Sequence, residues 1–209
     1  MFVNKYQTYL YYSPFFKREV VPIMRESDNF TEFESFIKRH SKFIYKPLSG
    51  SCGRGVRLID TGAYPSMQDL YISLRAEDGV VEELIIQDER LSRFHPSSVN
   101  TVRMPTVITK KGEVVILSAV FRVGQRNRIV DNGGAGGILA NIDPVTGIVY
   151  TNGADEFGNT YVKHPQTGVV FRGFQIPRWD EAVSLAKDLA SLNPRVRYVG
   201  WDLALRADG

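Results

Sequence analysis

Apolar positions recur along the chain at two spacings, one helical and one alternating, and together they predict an α+β protein. In Thr31–His40, Phe33, Phe36 and Ile37 share one helical face, and Thr31 and Glu34 have capping-box spacing, so a short amphipathic helix is expected. Phe43–Leu48 reads as a strand and Val56–Asp60 as its return, joined by a long loop of small residues. Met67, Leu70, Tyr71 and Leu74 predict a helix over Ser66–Ala76, and Leu84–Gln87 reads as a buried strand. Thr101–Thr109 and Glu113–Val123 flank a Lys-Lys-Gly turn as a long hairpin. Ile138–Ile142 and Gly147–Tyr150 flank Asp-Pro-Val-Thr-Gly as another. Pro177 opens a last helix with Ala182, Val183, Leu185, Ala186 and Leu189 on its apolar face, and Val196–Leu205 returns as a strand. The middle of the chain is therefore expected to be antiparallel sheet, with two lobes meeting near residue 90, over 1–90 and 91–209.

Composition narrows the class. At 209 residues with 43% apolar side chains the chain can bury a core. The excess of 26 basic over 23 acidic residues is too small to argue for nucleic acid, although it leaves room for a local phosphate site. The single cysteine, Cys52, has no partner for an internal disulfide. No run reaches the roughly 20 apolar residues of a membrane helix. The N-terminus lacks the apolar core of a signal peptide, so a cytoplasmic location is expected.

One stretch carries candidate chemistry. In F-I-Y-K-P-L-S-G-S-C-G-R-G-V (Phe43–Val56), Lys46 stands in an otherwise apolar strand just before three glycines and two serines. A buried ammonium is costly unless an anion meets it, and glycines let backbone N–H groups close on an oxyanion. A phosphate site and a merely mobile turn both fit the loop alone. Because the lysine precedes the glycines, the pattern is not that of a P-loop. Arg103 and Arg122 lie in apolar strand segments, either as core-edge residues with solvated heads or as anion ligands. Asp131 and Asn132, before a glycine-rich run, suit a substrate flap or a surface loop. His40, His95 and His164 lack metal-ligand spacing.

The order of segments adds a resemblance. N-K-Y-Q-T-Y-L (Asn4–Leu10), I-Y-K-P with its glycine loop, I-I-Q-D-E (Ile85–Glu89), S-S-V-N-T-V-R-M-P-T-V (Ser97–Val107) and F-R-V-G (Phe121–Gly124) are followed by D-N-G-G-A-G-G, I-D-P-V-T-G and G-W-D-L-A-L-R-A-D-G. In this order they resemble the ATP-grasp enzymes, in particular the sugar-transfer-associated branch found with bacterial polysaccharide genes. The resemblance implies two α+β lobes with largely antiparallel sheets enclosing ATP. It implies phosphate contacts from Lys46 and Lys5 and a lid from Ser49 to Gly55, including Ser51 and Gly53. Gln87, Asp88 and Glu89 fall at the adenine hinge, Asn100 near the ribose, and Asp202 on the first magnesium-binding carboxylate. It further implies Mg²⁺ and a carboxylate–amine ligation through an acyl phosphate, with small acids and amines, sugars or amino acids among them, as substrates.

Two departures are visible. Related ligases carry a Glu-x-Asn pair on a strand that falls beyond Gly209, so the chain reads as C-terminally incomplete. They also often carry an arginine where this chain has Gly200, so Arg103, Arg122, Arg126 or Arg128 has to stabilise an oxyanion. A non-catalytic nucleotide-binding module and a kinase of a sugar or protein are the rival readings.

Overall fold

The computed structural model describes residues 4–49, 53–125 and 136–208. Ser51, Cys52, Arg126, Arg128, Asp131 and Asn132 lie outside the described residues. The chain divides into two compact units, Met1–Ile85 and Ile86–Gly209.

The first unit is built on an antiparallel sheet of order β1-β4-β2-β3, from β1 (Val20–Ile23), β2 (Lys42–Pro47), β3 (Arg57–Asp60) and β4 (Gly79–Glu83). Period-two alternation sends Phe43, Tyr45, Ile59, Val21, Ile23 and Val81 to one face, where they pack with α2 (Phe30–Arg39) and α3 (Met67–Leu74). Phe33, Phe36 and Phe43 are fully buried there, each worth roughly 2–3 kcal/mol of transfer free energy. The other face carries Glu82, opposite Val20 on β1 and Ile44 on β2. α1 (Lys5–Tyr12) packs against β4.

Two expectations shift here. Thr31 does not cap α2: the helix begins one residue earlier, with Asp28 Oδ1 accepting from the Phe30 N–H, so Thr31 lies inside it. Glu32 in the first turn and Lys38 and Arg39 in the last complement the helix dipole. The central strand is Gly79–Glu83, not Leu84–Gln87, and Ile86 is 70% exposed. The V-V-E-E segment takes the sheet position with Val80 and Val81 buried and Glu82 paired to Lys46 and Arg18, a neutralisation that an apolar-run criterion does not register.

The second unit holds a sheet of order β10-β9-β8-β7-β5-β11, with β6 (Val114–Ile116) also on β5. Its strands are β5 (Thr101–Ile108), β7 (Ala119–Val123), β8 (Ile138–Ile142), β9 (Gly153–Ala154), β10 (Thr160–Tyr161) and β11 (Tyr198–Leu203). The expected strand Glu113–Val123 is two strands, both paired to β5. Val102, Met104, Phe121, Val123, Ile138 and Ala140 point to the buried face, where Phe94, Phe121 and Phe174 pack ring on ring. α5 (Trp179–Leu192) packs on β5 and β6. Trp201 reaches across from β11 to give its indole N–H to Thr106 Oγ1 at 2.9 Å.

Candidate functional site

In the first unit, α1 and the end of β2 bring two lysines together. The Lys5 N–H donates to the Leu48 carbonyl at 3.2 Å, which docks the start of α1 on the chain leaving β2. Its Nζ then donates to the Pro47 carbonyl at 2.8 Å. Burial lowers the Lys5 pKa, the Lys46 ammonium lowers it further, and Glu82 and Glu77 oppose the change.

Lys46 Nζ lies 2.8 Å from Glu82 Oε2, and the same oxygen accepts from Arg18 Nε at 2.9 Å. Burial disfavours the ionised form of Glu82, but Lys46 and then Arg18 outweigh it and hold the carboxyl down at about 2. Arg18 also stacks on Phe16, with Cζ 4.5 Å from the ring centroid. Sequence reading missed both residues. An acidic pair ending the V-V-E-E strand was a readable signal for Glu82, whereas nothing in K-R-E marks Arg18.

The loop after Lys46 leaves Ser49 exposed and turns through Gly53 and Gly55 at φ 71° and 74°. A Cβ at Gly55 would sit 2.6 Å from Pro47 Cγ, so this close, left-handed turn demands glycine.

In the second unit, residues 86–88 run antiparallel to 205–207. The Asp88 N–H donates to Leu205 O and the Ala207 N–H to Ile86 O, both at 2.9 Å, with Gln87 opposite Arg206. By antiparallel alternation Gln87 turns its own N–H and C=O to the other edge, as a donor–acceptor pair. The Gln87 side chain is held by Asn100, giving its Nε2–H to Asn100 O at 2.5 Å and accepting from Asn100 Nδ2 at 3.1 Å. Asn100 is fully buried; its Nδ2 also donates to Leu91 O and His95 O, and its Oδ1 accepts from the Gly124 N–H. Its side chain therefore brackets three segments. Asp88 accepts from the Arg90 N–H at the start of α4 (Glu89–Ser92) and pairs with the Arg90 guanidinium, while Glu89 is exposed. Those contacts, the Arg90 side chain first, hold the Asp88 carboxyl below the usual range.

Three sequence-selected residues converge on the face of the sheet opposite the α5 side. Asp202 on β11 is the register partner of Arg103 on β5, and Arg122 on β7 is the partner of Thr101. Arg103 Nη1 donates to Asp202 Oδ2 at 2.8 Å and Arg122 Nη1 to Asp202 Oδ1 at 2.6 Å. Gly200 makes room: a Cβ there would lie 2.5 Å from Arg103 Nη2 and 2.7 Å from its Cζ. The guanidinium therefore lies flat over the strand at this glycine.

This arrangement does not make a magnesium site by itself. Each oxygen of Asp202, the expected ligand, is on a guanidinium, and no group of three or more His, Cys, Asp or Glu among the described residues is suited to a metal. His95 and His164 are buried in a polar network instead: His95 Nδ1 meets Ser98 Oγ at 2.8 Å, and His164 Nε2 meets Gly124 O at 3.0 Å.

Comparisons with known proteins agree on the fold. The ATP-grasp ligase PsnB, complexed with its minimal precursor, aligns over 99% of this chain with TM-score 0.54 and 14% identity. The ADP complex of purK, an N5-carboxyaminoimidazole ribonucleotide synthetase, aligns over 99% with TM-score 0.56 and 12% identity, and the D-cycloserine synthetase DcsG over 99% with TM-score 0.53 and 14% identity. This chain spans 48%, 42% and 59% of those three chains. Among curated proteins no match is found. The family model of the sugar-transfer associated ATP-grasp proteins matches residues 17–209, and the chain belongs to that family.

Proposed function

We propose that the chain is the nucleotide-binding and phosphoryl-handling part of an ATP-dependent carboxylate–amine ligase. The observation that carries this reading is the placement of Lys5 Nζ on the carbonyl of Pro47, the residue after Lys46, beside the glycine turn, which sets two cations where a polyphosphate could engage both. Lys46 and Lys5 hold the phosphates, and Ser49, Gly53 and Gly55 form the covering loop. The main chain of Gln87–Glu89 meets the adenine edge, and Asn100 acts by fixing that segment and not by a free side chain. Asp202 orients Arg103 and Arg122.

The chemistry is an attack by a substrate carboxylate oxygen on the γ-phosphorus. The bond to the β,γ-bridging oxygen breaks, ADP leaves, and an acyl phosphate results. An amine nitrogen then attacks the acyl carbon, phosphate departs, and the amine gives up a proton. Arg103 and Arg122 offset the negative charge that develops in both steps, so the protein works mainly by positioning and charge. In polysaccharide biosynthesis the acid would be a uronic acid or amino acid and the acceptor an amino sugar. A cytoplasmic location fits the ATP requirement, and no described helix is long and apolar enough to cross a membrane.

Calorimetry with ATP tests the first half. Lys46→Ala should weaken binding by about ten- to hundred-fold, the scale of a lost charge-assisted contact; unchanged affinity would remove the phosphate assignment. ADP release that needs both an acid and an amine supports ligation, whereas release with an acceptor alone identifies a kinase. Binding without turnover on any pair would favour the non-catalytic module, a reading that the double ion pairing of Asp202 favours specifically.

A further inference from the structure

We infer that Arg18 is a third phosphate-binding cation of the first unit, and that Glu82 is the positioning residue that presents Arg18 and Lys46 together. The inference rests on the nucleotide reading of Lys46. It starts from a charge mismatch. Within hydrogen-bonding reach, Glu82 Oε2 serves two cations, Lys46 and Arg18. Lys5 stands close enough for the Lys46 charge to act on it, with Glu77 as a smaller opposing charge. A structural ion pair at a buried carboxylate requires one cation. Here two cations share one oxygen of a buried carboxylate, with Lys5 held on the neighbouring Pro47 carbonyl, an arrangement that a polyanion completes.

Arg18 is also built to stay in place. Its Nε is held by Glu82 and its guanidinium face by Phe16, whose ring lies against Tyr9 at 5.3 Å between centroids. Nε and one face are thereby used, and among the described residues the two η nitrogens take no hydrogen bond. A guanidinium so held presents its η N–H groups as a fork suited to phosphate oxygens. Its side chain keeps 20% exposure, against 8% for that of Glu82, so the cation and not the carboxylate faces solvent. Val20 and Ile44, the register partners of Glu82, flank it with apolar side chains and keep its bonds to the two cations undiluted.

The test uses the 209-residue chain and three probes, namely ATP, inorganic tripolyphosphate and adenosine. Arg18→Met keeps the aliphatic stem and removes the charge. It should weaken ATP and tripolyphosphate by roughly ten-fold while adenosine changes less than about two-fold. Arg18→Lys, which keeps the charge and is the safer variant for folding, should recover part of that loss. Glu82→Gln should narrow the ATP-to-adenosine affinity ratio, a readout that loss of stability alone does not move. If Lys46→Ala weakens ATP but both Arg18 variants bind all three probes as wild type does, Arg18 is structural and the inference is overturned. If Lys46→Ala also leaves ATP binding intact, the nucleotide reading itself falls, and this inference falls with it.

Discussion

Glu82 ties the stability of the first unit to pH. Despite burial, Lys46 and Arg18 hold its carboxyl at about 2 in the fold, against 4.5 when unperturbed, so its contribution is complete above 4.5 and is lost as pH falls toward 2. On the order of 3 kcal/mol should disappear over that window. Urea unfolding between pH 6 and pH 2.5 should show the fall in the wild type and a flatter curve in Glu82→Gln. His164 acts at a higher window. Burial keeps its imidazole neutral, with His95 adding to that effect and the Gly124 carbonyl opposing it, so its pKa lies below 6.5. Its contribution is present above 6.5 and lost as pH drops below it. His164→Gln keeps a donor toward Gly124 and should flatten the thermal-melt dependence between pH 7 and pH 5. Lys46, Arg103 and Arg122 stand out in the sequence because a charge in an apolar strand is conspicuous, and Asp202 only through the resemblance. Glu82, which holds Lys46, and Arg18, which shares its Oε2, do not, since their meaning lies in a cross-strand neighbourhood that linear spacing does not encode.

At the scale of elements, β11 shows how a glycine can serve a neighbouring strand. Gly200→Val improves strand propensity and should leave stability within about 1 kcal/mol of wild type. Its side chain enters the space of the Arg103 guanidinium. ATP-dependent turnover should fall about ten- to hundred-fold while ATP affinity holds, and a steady-state assay beside a melting curve separates the two effects. By contrast, Phe43→Ala opens the fully buried β2–α2 contact and should cost roughly 3–5 kcal/mol. Helix α2 was readable from its Phe33–Phe36–Ile37 stripe to within a residue, since periodicity marks the buried face better than the cap. The central strand was displaced in the sequence reading because L-I-I looks more like a core strand than V-V-E-E does. Val80 and Val81 bury that strand, and the pairing of Glu82 with Lys46 and Arg18 lets its glutamate be buried with them.

Across the whole molecule, the order of weak motifs carried more than any single one, and the family match over 17–209 spans all of them except Asn4–Leu10. Less visible was the commitment of conspicuous polar residues to structure: Asn100 is saturated by Gln87, Leu91, His95 and Gly124. A division of labour is expected between the units. Lys46→Ala should act on the affinity for ATP, and Arg103→Ala or Arg122→Ala on turnover with affinity retained, as equilibrium calorimetry and steady-state rates on the same preparations will tell. The indole of Trp201, tethered to Thr106 and adjacent in sequence to Asp202, has an optical consequence. With Trp179 as the other tryptophan, Trp179→Phe leaves a single tryptophan one residue from the Arg103–Asp202–Arg122 cluster. Its emission then becomes a built-in gauge of whether that cluster is engaged, without a label or a coupled assay.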